Sequence, residues 1–194
     1  MLARKIHASL PFVRRLSYIV SVLIFDSSTL ILLAKSDLLD LFLDDFQGTP
    51  VVPRAVEEES TDLSRPDGML IRERIRENRI AIEEVRQPKV LQRLIQDFRL
   101  GFGEAEALTL ALEQEDSLLA TDDRNAIRAC KVLRIRFVTS LSILVRAVEK
   151  GLLDREEGLR VLERLKVYGR YKAGIMAEAS RQMGGFHGKG SEDG

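Results

Sequence analysis

Hydrophobic residues along the chain form short apolar runs that alternate with stretches of helical periodicity. The apolar runs predict strands, and the run at residues 79–85 predicts an edge strand because its polar and apolar residues alternate. These runs are residues 19–25, 51–52, 79–85, 117–120 and 135–138. Apolar residues three or four positions apart predict helices at 30–35, 38–46, 54–60, 69–76, 90–99, 104–113, 124–131 and 141–150. This alternation predicts an α/β fold of three α/β/α layers around a mainly parallel central sheet, with C-terminal helices added.

The two ends of the chain depart from this alternation. Residues 1–18 predict an N-terminal extension of uncertain order, and the alternating pattern fills residues 19–153. Residues 154–183 have helical periodicity and predict a C-terminal helical extension, whereas the glycine-rich residues 184–194 predict a disordered tail. Basic residues before the first apolar run are reminiscent of a signal peptide, but no small-x-small cleavage pattern follows, which favours a buried strand. No run reaches the ~18 apolar residues of a membrane span, so no membrane contact is expected.

The composition excludes several kinds of site. Lys and Arg number 30, as do Asp and Glu, so any attraction for phosphate must come from a local patch. The single Cys130 cannot form an intramolecular disulfide, and it fits a reducing, cytoplasmic location. With only His7 and His187, far apart in the chain, a histidine-rich metal centre or a Ser-His-Asp triad has little to build on. We therefore expect any catalysis to rest on carboxylates.

Carboxylates occur where the predicted strands end. Sites in open parallel sheets form outside the carboxyl ends of the strands, and several acids fall there. These acids are Asp26, Glu59, Glu104, and Asp122 or Asp123. A plainer interpretation of each also exists: the aspartates could cap helices, and the run 57–59 could be a solvated helix face. Glu106 is an alternative to Glu104, since about 200° of helix rotation separates them and only one can face a common centre.

Several carboxylates at one place would require a cation. Two carboxylates 4 Å apart repel by about 4 kcal/mol at an effective dielectric constant of 20. Because the available ligands are oxygens, the expected ion is Mg²⁺ or Mn²⁺. Such ions orient a phosphodiester and activate water, which makes phosphodiester hydrolysis the expected chemistry.

Five segments in order carry a family resemblance. They are residues 23–31, 51–59, 103–108, 119–129 and 137–153. Their acids, the proline-started helix and the Gly-Glu-Ala-Glu-Ala motif resemble PIN-domain ribonucleases, in particular the VapC-like toxin branch and its GEAEA-type subgroup. The resemblance implies a PIN-like nuclease domain over residues 19–153.

The resemblance also implies roles for individual residues. The catalytic and metal-binding acids fall on Asp26, Glu59, Glu104 and Asp122. Asp26, Glu104 and Asp122 would bind the principal ion, and Glu59 a second ion or the attacking water. Supporting roles fall on Ser28, Thr121 and Asp123. Three alternatives stay open: Glu58 for Glu59, Glu106 for Glu104, and Asp123 for Asp122.

The function implied is that of a Mg²⁺- or Mn²⁺-dependent endoribonuclease that cleaves single-stranded RNA, as the toxin of a toxin–antitoxin pair. Its expected partners are RNA, an antitoxin protein and a second copy of the chain. The alternative is a catalytically silent PIN-like interaction module.

Basic residues on two stretches predict either a phosphate-contacting rim or an ordinary solvated surface; they are Arg124, Arg128, Lys131, Arg134, Arg136, Lys166, Arg170, Lys172 and Arg181. Leucines after the last predicted strand predict either a dimer face or core packing; they are Leu152, Leu153, Leu159, Leu162 and Leu165.

Overall fold

The computed structural model describes residues 20–184. The predicted extension 1–18 and residues 185–194 of the predicted tail lie outside this part of the chain. Within it there are five strands: β1 (Val22–Phe25), β2 (Thr49–Pro53), β3 (Ala81–Glu83), β4 (Ser117–Ala120) and β5 (Phe137–Val138). The helices are α1 (Ser27–Lys35), α2 (Leu39–Asp45), α3 (Arg54–Ser60), α4 (Pro66–Arg76), α5 (Pro88–Phe98), α6 (Phe102–Glu113), α7 (Arg124–Leu133), α8 (Ser140–Glu149), α9 (Arg155–Tyr168) and α10 (Ala173–Gly184).

The five strands form one parallel sheet in the order β3-β2-β1-β4-β5. The central strand β1 pairs with β2 on one side, Val22 opposite Thr49, and with β4 on the other, Phe25 opposite Ala120. Parallel neighbours need crossover connections, and the helices between the strands supply them. The predicted α/β class with a parallel sheet and an edge strand near residues 79–85 is confirmed.

Alternate residues of the strands point into two separate cores, one on each face of the sheet. Leu23 and Phe25 of β1 pack with residues of α1, α2, α8, α9 and α10. Ile24, between them in sequence, packs on the opposite face with residues of α5, α6 and α7. Because both faces of β1 are covered, its sequence is a continuous apolar run rather than an alternating one. The sheet is thus the middle of three layers.

The C-terminal helices α9 and α10 pack on the first of these cores. Leu162 and Leu165 of α9 and Met183 of α10 are buried there. Leu153 and Leu159 are partly buried against the same cluster, and Leu152 alone of the five leucines is exposed. Of the two interpretations of these leucines, the structure favours core packing.

The charged stretch 60–100 adds α4, β3 and α5 to the fold, and ion pairs tie it to α2. Arg74 of α4 donates from two guanidinium nitrogens to Asp40, at 2.5 and 2.7 Å. Arg79 donates to Asp40 at 2.9 Å and to Asp44. Hydrogen bonding from Arg74 holds the pKa of Asp40 below its ordinary value. Some of the charged residues of this stretch therefore form ion pairs that attach it to α2.

Among the helices of residues 20–184, none has both the length and the apolar character needed to cross a bilayer.

Candidate active site

The strand ends that carry the predicted acids lie side by side. The backbone N–H of Asp26, directly after β1, donates to the carbonyl of Ala120 at 3.1 Å, and that of Thr121, directly after β4, donates to Val138 at 2.9 Å. After β1, the chain adds β2 and then β3 on one side of it. It then crosses to the other side of β1, where it adds β4 and then β5. The carboxyl ends of β1 and β4 therefore form a topological switch point, where ligands bind in sheets of this kind.

Asp26 is a buried carboxylate held by two side chains and one backbone group. Its side chain caps α1, since Oδ1 accepts from the Thr29 N–H at 2.7 Å and from the Ser28 hydroxyl at 3.1 Å. Its Oδ2 accepts from the Thr121 hydroxyl. Asp26 is only 1% exposed, and this burial, with a smaller contribution from the charge of Asp122, raises its pKa from 3.8 to about 6. Removal from water disfavours the ionised form.

Asp122 lies beside Asp26 and takes four hydrogen bonds. Its Oδ2 accepts from the Thr29 hydroxyl at 3.1 Å and from the N–H and hydroxyl of Ser140, at 3.0 and 2.5 Å. Its Oδ1 accepts from the Tyr171 hydroxyl at 2.8 Å. Burial, and then the charge of Asp122, raise the pKa of Tyr171 well above its ordinary value, so the phenol stays a donor at neutral pH. Thr29 joins the two aspartates, because its N–H serves Asp26 and its hydroxyl serves Asp122.

A second set of carboxylates lies at the start of α6. Glu104 accepts from the Gly101 N–H at 3.0 Å, and burial, followed by the charges of Asp123 and Glu59, raises its pKa. The Glu59 carboxylate lies against Gly103, where Oε2 would be 2.8 Å from any Cβ at that position. Gly103 therefore leaves the space into which Glu59 extends from α3 to reach α6.

The neighbouring glutamates have other partners. Glu106 accepts from the Ala55 N–H at 2.8 Å and so serves the first turn of α3. Glu57 pairs with Arg54 at 2.8 Å, while Glu58 is exposed. The geometry therefore favours Glu59 and Glu104 among the alternatives left open by the sequence, and their roles stay predictions.

The structure brings the predicted acids together as two groups. One group consists of Asp26 and Asp122, and the other consists of Glu59, Glu104 and Asp123. The two groups are adjacent, because Asp122 and Asp123 are consecutive residues after β4. Within residues 20–184, no three Asp, Glu, His or Cys side chains form a group that could hold a metal ion. The single shared centre predicted for Asp26, Glu59, Glu104 and Asp122 stays a prediction.

Two of the three supporting residues contact the first group. The hydroxyls of Ser28 and Thr121 both donate to the Asp26 carboxylate. Asp123 caps α7, accepting from the N–H groups of Asn125 and Ala126 at 2.7 and 2.8 Å, and its own N–H donates to Thr121 at 3.2 Å. The capping interpretation of Asp123 is correct, and its charge also reaches Glu104.

Sequence reasoning missed three residues that contact Asp122, namely Thr29, Ser140 and Tyr171. Ser140 follows β5 and so lies at the same sheet edge, a signal that could have identified it. Tyr171 lies 49 residues after Asp122, between α9 and α10, and no spacing or motif indicates its contact. Only the packing of the last two helices places it.

Exposed cations lie along α7, which starts at this edge of the sheet and ends at the opposite edge, before β5. Arg124, Arg128, Lys131 and Arg134 are exposed on or just after α7, and none has an acidic partner within 4 Å in the described part of the chain. Arg136 differs, since it lies 3.4 Å from Asp116 and donates to the Ser117 carbonyl. Of these cations, Arg124 directly follows Asp122 and Asp123 at the start of α7, where its charge can offset part of theirs.

Burial of Asp26 predicts a pH dependence of stability in metal-free protein. Between pH 3.8 and about 6 the folded state keeps a proton that the unfolded state has lost, so stability falls as pH rises through this window. The full effect is about 3 kcal/mol. Urea unfolding in EDTA at pH 4 and pH 7 measures it as the difference between the wild type and Asp26→Asn, in which other titrations cancel. An unchanged difference at the two pH values would show that Asp26 titrates normally.

Comparison with known families gives one match. A family model described as PIN domain matches residues 22–184, from β1 to the end of α10. The searches of curated proteins and of solved structures returned no significant match. The match covers most of the chain, C-terminal helices included. PIN domains are generally nucleases and typically use divalent metals. The chain belongs to the PIN-domain family.

Proposed function

We propose that the chain is a divalent-metal-dependent endoribonuclease that hydrolyses single-stranded RNA. The observation that carries the proposal is the pair of acid groups at the switch point of a PIN-family sheet. Buried Asp26 and half-buried Asp122 follow adjacent strands, and burial, followed by the charges of Asp123 and Glu59, raises the pKa of Glu104. Acids arranged in this way fit a site that is neutralised by a cation.

The donor set fits Mg²⁺ or Mn²⁺. The groups near the strand ends offer carboxylate and hydroxyl oxygens, which both ions prefer. Asp26, Glu104 and Asp122 would hold the principal ion, with Asp123 sharing or replacing Asp122, and Glu59 would hold a second ion or the attacking water. When bound, the ion supplies Lewis-acid polarisation of the phosphodiester and lowers the pKa of water.

The surrounding residues orient these acids. Four donors on Asp122 and three on Asp26 occupy most of the lone pairs of the two carboxylates, since a carboxylate offers about four acceptor positions. Each carboxylate is therefore held in one orientation before substrate arrives, which reduces the reorganisation required in the reaction. Glu59 is exposed on α3, where it can accept a proton from water that approaches the phosphodiester.

The biological setting follows from the resemblance to the toxin branch. We propose a cytoplasmic toxin whose antitoxin masks the acidic edge of the sheet, and a homodimer as its assembly. Mixing the purified chain with a candidate antitoxin tests the first point, and sedimentation tests the second.

A catalytically silent interaction module is the second candidate function. Two observations favour it: Asp26 is nearly inaccessible, and Asp26 and Asp123 both serve as helix caps. In such a module the acids would be kept for capping and would not bind metal.

Metal binding and cleavage distinguish the two functions. For the nuclease, Mn²⁺ at 100 times its dissociation constant should stabilise the fold by about 2.7 kcal/mol. For a chain of this size that raises the Tm by about 5–10 °C. The same protein should cleave single-stranded RNA internally in Mn²⁺ and leave it intact in EDTA, with DNA of the same sequence as the comparison. Neither a Tm rise nor cleavage is expected of a silent module.

A further inference from the structure

The segment that joins α9 to α10 is attached directly to the candidate active site. Tyr171, in this segment, donates its hydroxyl to Asp122 at 2.8 Å. Its ring lies against Gly169, where a Cβ would overlap the ring atoms, so glycine permits this approach. On either side, Leu165 of α9 and Met176 of α10 are buried in the core. The segment of residues 169–172, which we call the linker, is therefore fixed at the edge of the acidic site.

The linker carries two cations whose charge is not compensated. Arg170 and Lys172 are both exposed, and neither lies within 4 Å of an acidic group in residues 20–184. The nearest comparable cations, on the flanking helices, are paired: Lys166 with Glu163 at 3.0 Å, and Arg181 with Glu178. Consecutive Cα atoms are about 3.8 Å apart, so the two linker cations straddle the residue that contacts Asp122.

We propose that the linker is a binding site for the phosphate backbone of single-stranded nucleic acid, in which Arg170 and Lys172 contact phosphates and Tyr171 fixes them beside the acids. This inference rests on the proposed function, since it describes how that site holds its substrate.

The electrostatics of the edge favour such a contact. A strand that brings one phosphodiester to Asp26 and Asp122 brings its neighbouring phosphates close to the same carboxylates, which repel them. Cations next to the acids offset this repulsion and hold the strand without reading its sequence. The cations of α7 are a weaker candidate for this role, because no contact ties them to either aspartate.

The test compares two double variants that remove the same charges. Arg170→Ala/Lys172→Ala and Lys166→Ala/Arg181→Ala each remove one arginine and one lysine. Binding of a fluorescent 12-nucleotide single strand is measured in EDTA, so that no metal-dependent hydrolysis occurs. Loss of two phosphate contacts should lower the slope of log affinity against log salt by about 1.4, which is about 25-fold in affinity at 0.1 M salt. The control variant should stay within about twofold of the wild type, since its cations already have acidic partners.

Tyr171 provides a second measurement. Tyr171→Phe removes only the hydroxyl and should weaken binding, and the linker double variant should then have a smaller effect in the Tyr171→Phe background. Tyr168→Phe, an exposed tyrosine three residues earlier, is the matched control and should bind as the wild type does. Equal Tm values for all variants would show that the fold is intact.

The outcomes separate this inference from the proposed function. Wild-type affinity of Arg170→Ala/Lys172→Ala, or a loss no larger than that of the control, would overturn the linker site even if the enzyme cleaves RNA. A loss seen with RNA but not with DNA of the same sequence would also overturn it, because both strands carry the same phosphates. The expected loss of binding in a chain that never cleaves would support the linker and reject the nuclease.

Discussion

Asp26→Asn should abolish metal-dependent RNA cleavage while leaving the protein folded. We expect the rate of RNA cleavage to fall by more than about hundredfold. Changing a residue that only hydrogen-bonds to a metal ligand typically lowers activity or metal affinity 10–100-fold, and Asp26 is proposed as a ligand itself. The amide has the shape of the carboxylate, so its oxygen can still accept from Ser28 and Thr29. Its nitrogen can donate to the Thr121 hydroxyl, which replaces the present hydrogen bond with one in the opposite direction. The charge is lost, and with it the attraction for a cation.

The stability of this variant is the control for folding. Burial penalises the ionised Asp26 at neutral pH, so the neutral amide should match or exceed the wild type in urea unfolding at pH 7 in EDTA. Cleavage time courses with Mn²⁺ measure activity on the same preparations. A fully active Asp26→Asn protein would remove the metal-dependent mechanism, and an unfolded one would show that the amide cannot replace the carboxylate in its hydrogen bonds.

Glu104→Gln should also lower the rate of metal-dependent RNA cleavage, by about hundredfold. Glu106→Gln should leave the cleavage rate near that of the wild type. Burial, followed by the charges of Asp123 and Glu59, raises the pKa of Glu104, and neighbouring carboxylates favour a cation. Glutamine keeps an oxygen for the Gly101 N–H, so only the charge is removed. Mn²⁺ titration followed by Tm should show weaker metal binding in Glu104→Gln.

Glu106→Gln is a matched control, because it makes the same substitution on the same helix two residues away. Its oxygen can still accept from the Ala55 N–H at the start of α3, so stability should change by no more than about 1 kcal/mol. If Glu106→Gln were inactive and Glu104→Gln active, the catalytic acid of α6 would be Glu106, and the grouping of Glu59, Glu104 and Asp123 would have no role in catalysis.

The central layer of the fold could be predicted because burial on both faces leaves a direct record in the sequence. The predicted strand at 117–120 has the same bounds as β4, and the run at 19–25 contains β1. The ends of elements were harder to predict, since they depend on local backbone geometry. The predicted helix 69–76 begins earlier, at Pro66, because proline suits the first turn of a helix.

The candidate site was predictable to the level of the strand ends and no further. The parallel arrangement of β1 and β4 places Asp26 and the acids after β4 at the same edge of the sheet, independently of side-chain conformation. Whether Asp122 or Asp123 approaches Glu104 depends on side-chain orientation in two successive residues, which point in different directions. The structure turns Asp122 toward Ser140 and Tyr171, and it places the charge of Asp123 near Glu104.

The sequence by itself determined the parallel sheet, the order of its elements and the residues that follow β1 and β4, because apolar runs and helical periodicity are local properties. Only the tertiary structure decided the partners of each carboxylate. Glu104 and Glu106 lie in one motif and are indistinguishable there, yet packing of α3 against α6 gives Glu106 a backbone N–H and leaves Glu104 with two acids. Tyr171 reaches Asp122 because α9 and α10 pack on the sheet, and contacts between residues so distant in the chain depend on the whole fold.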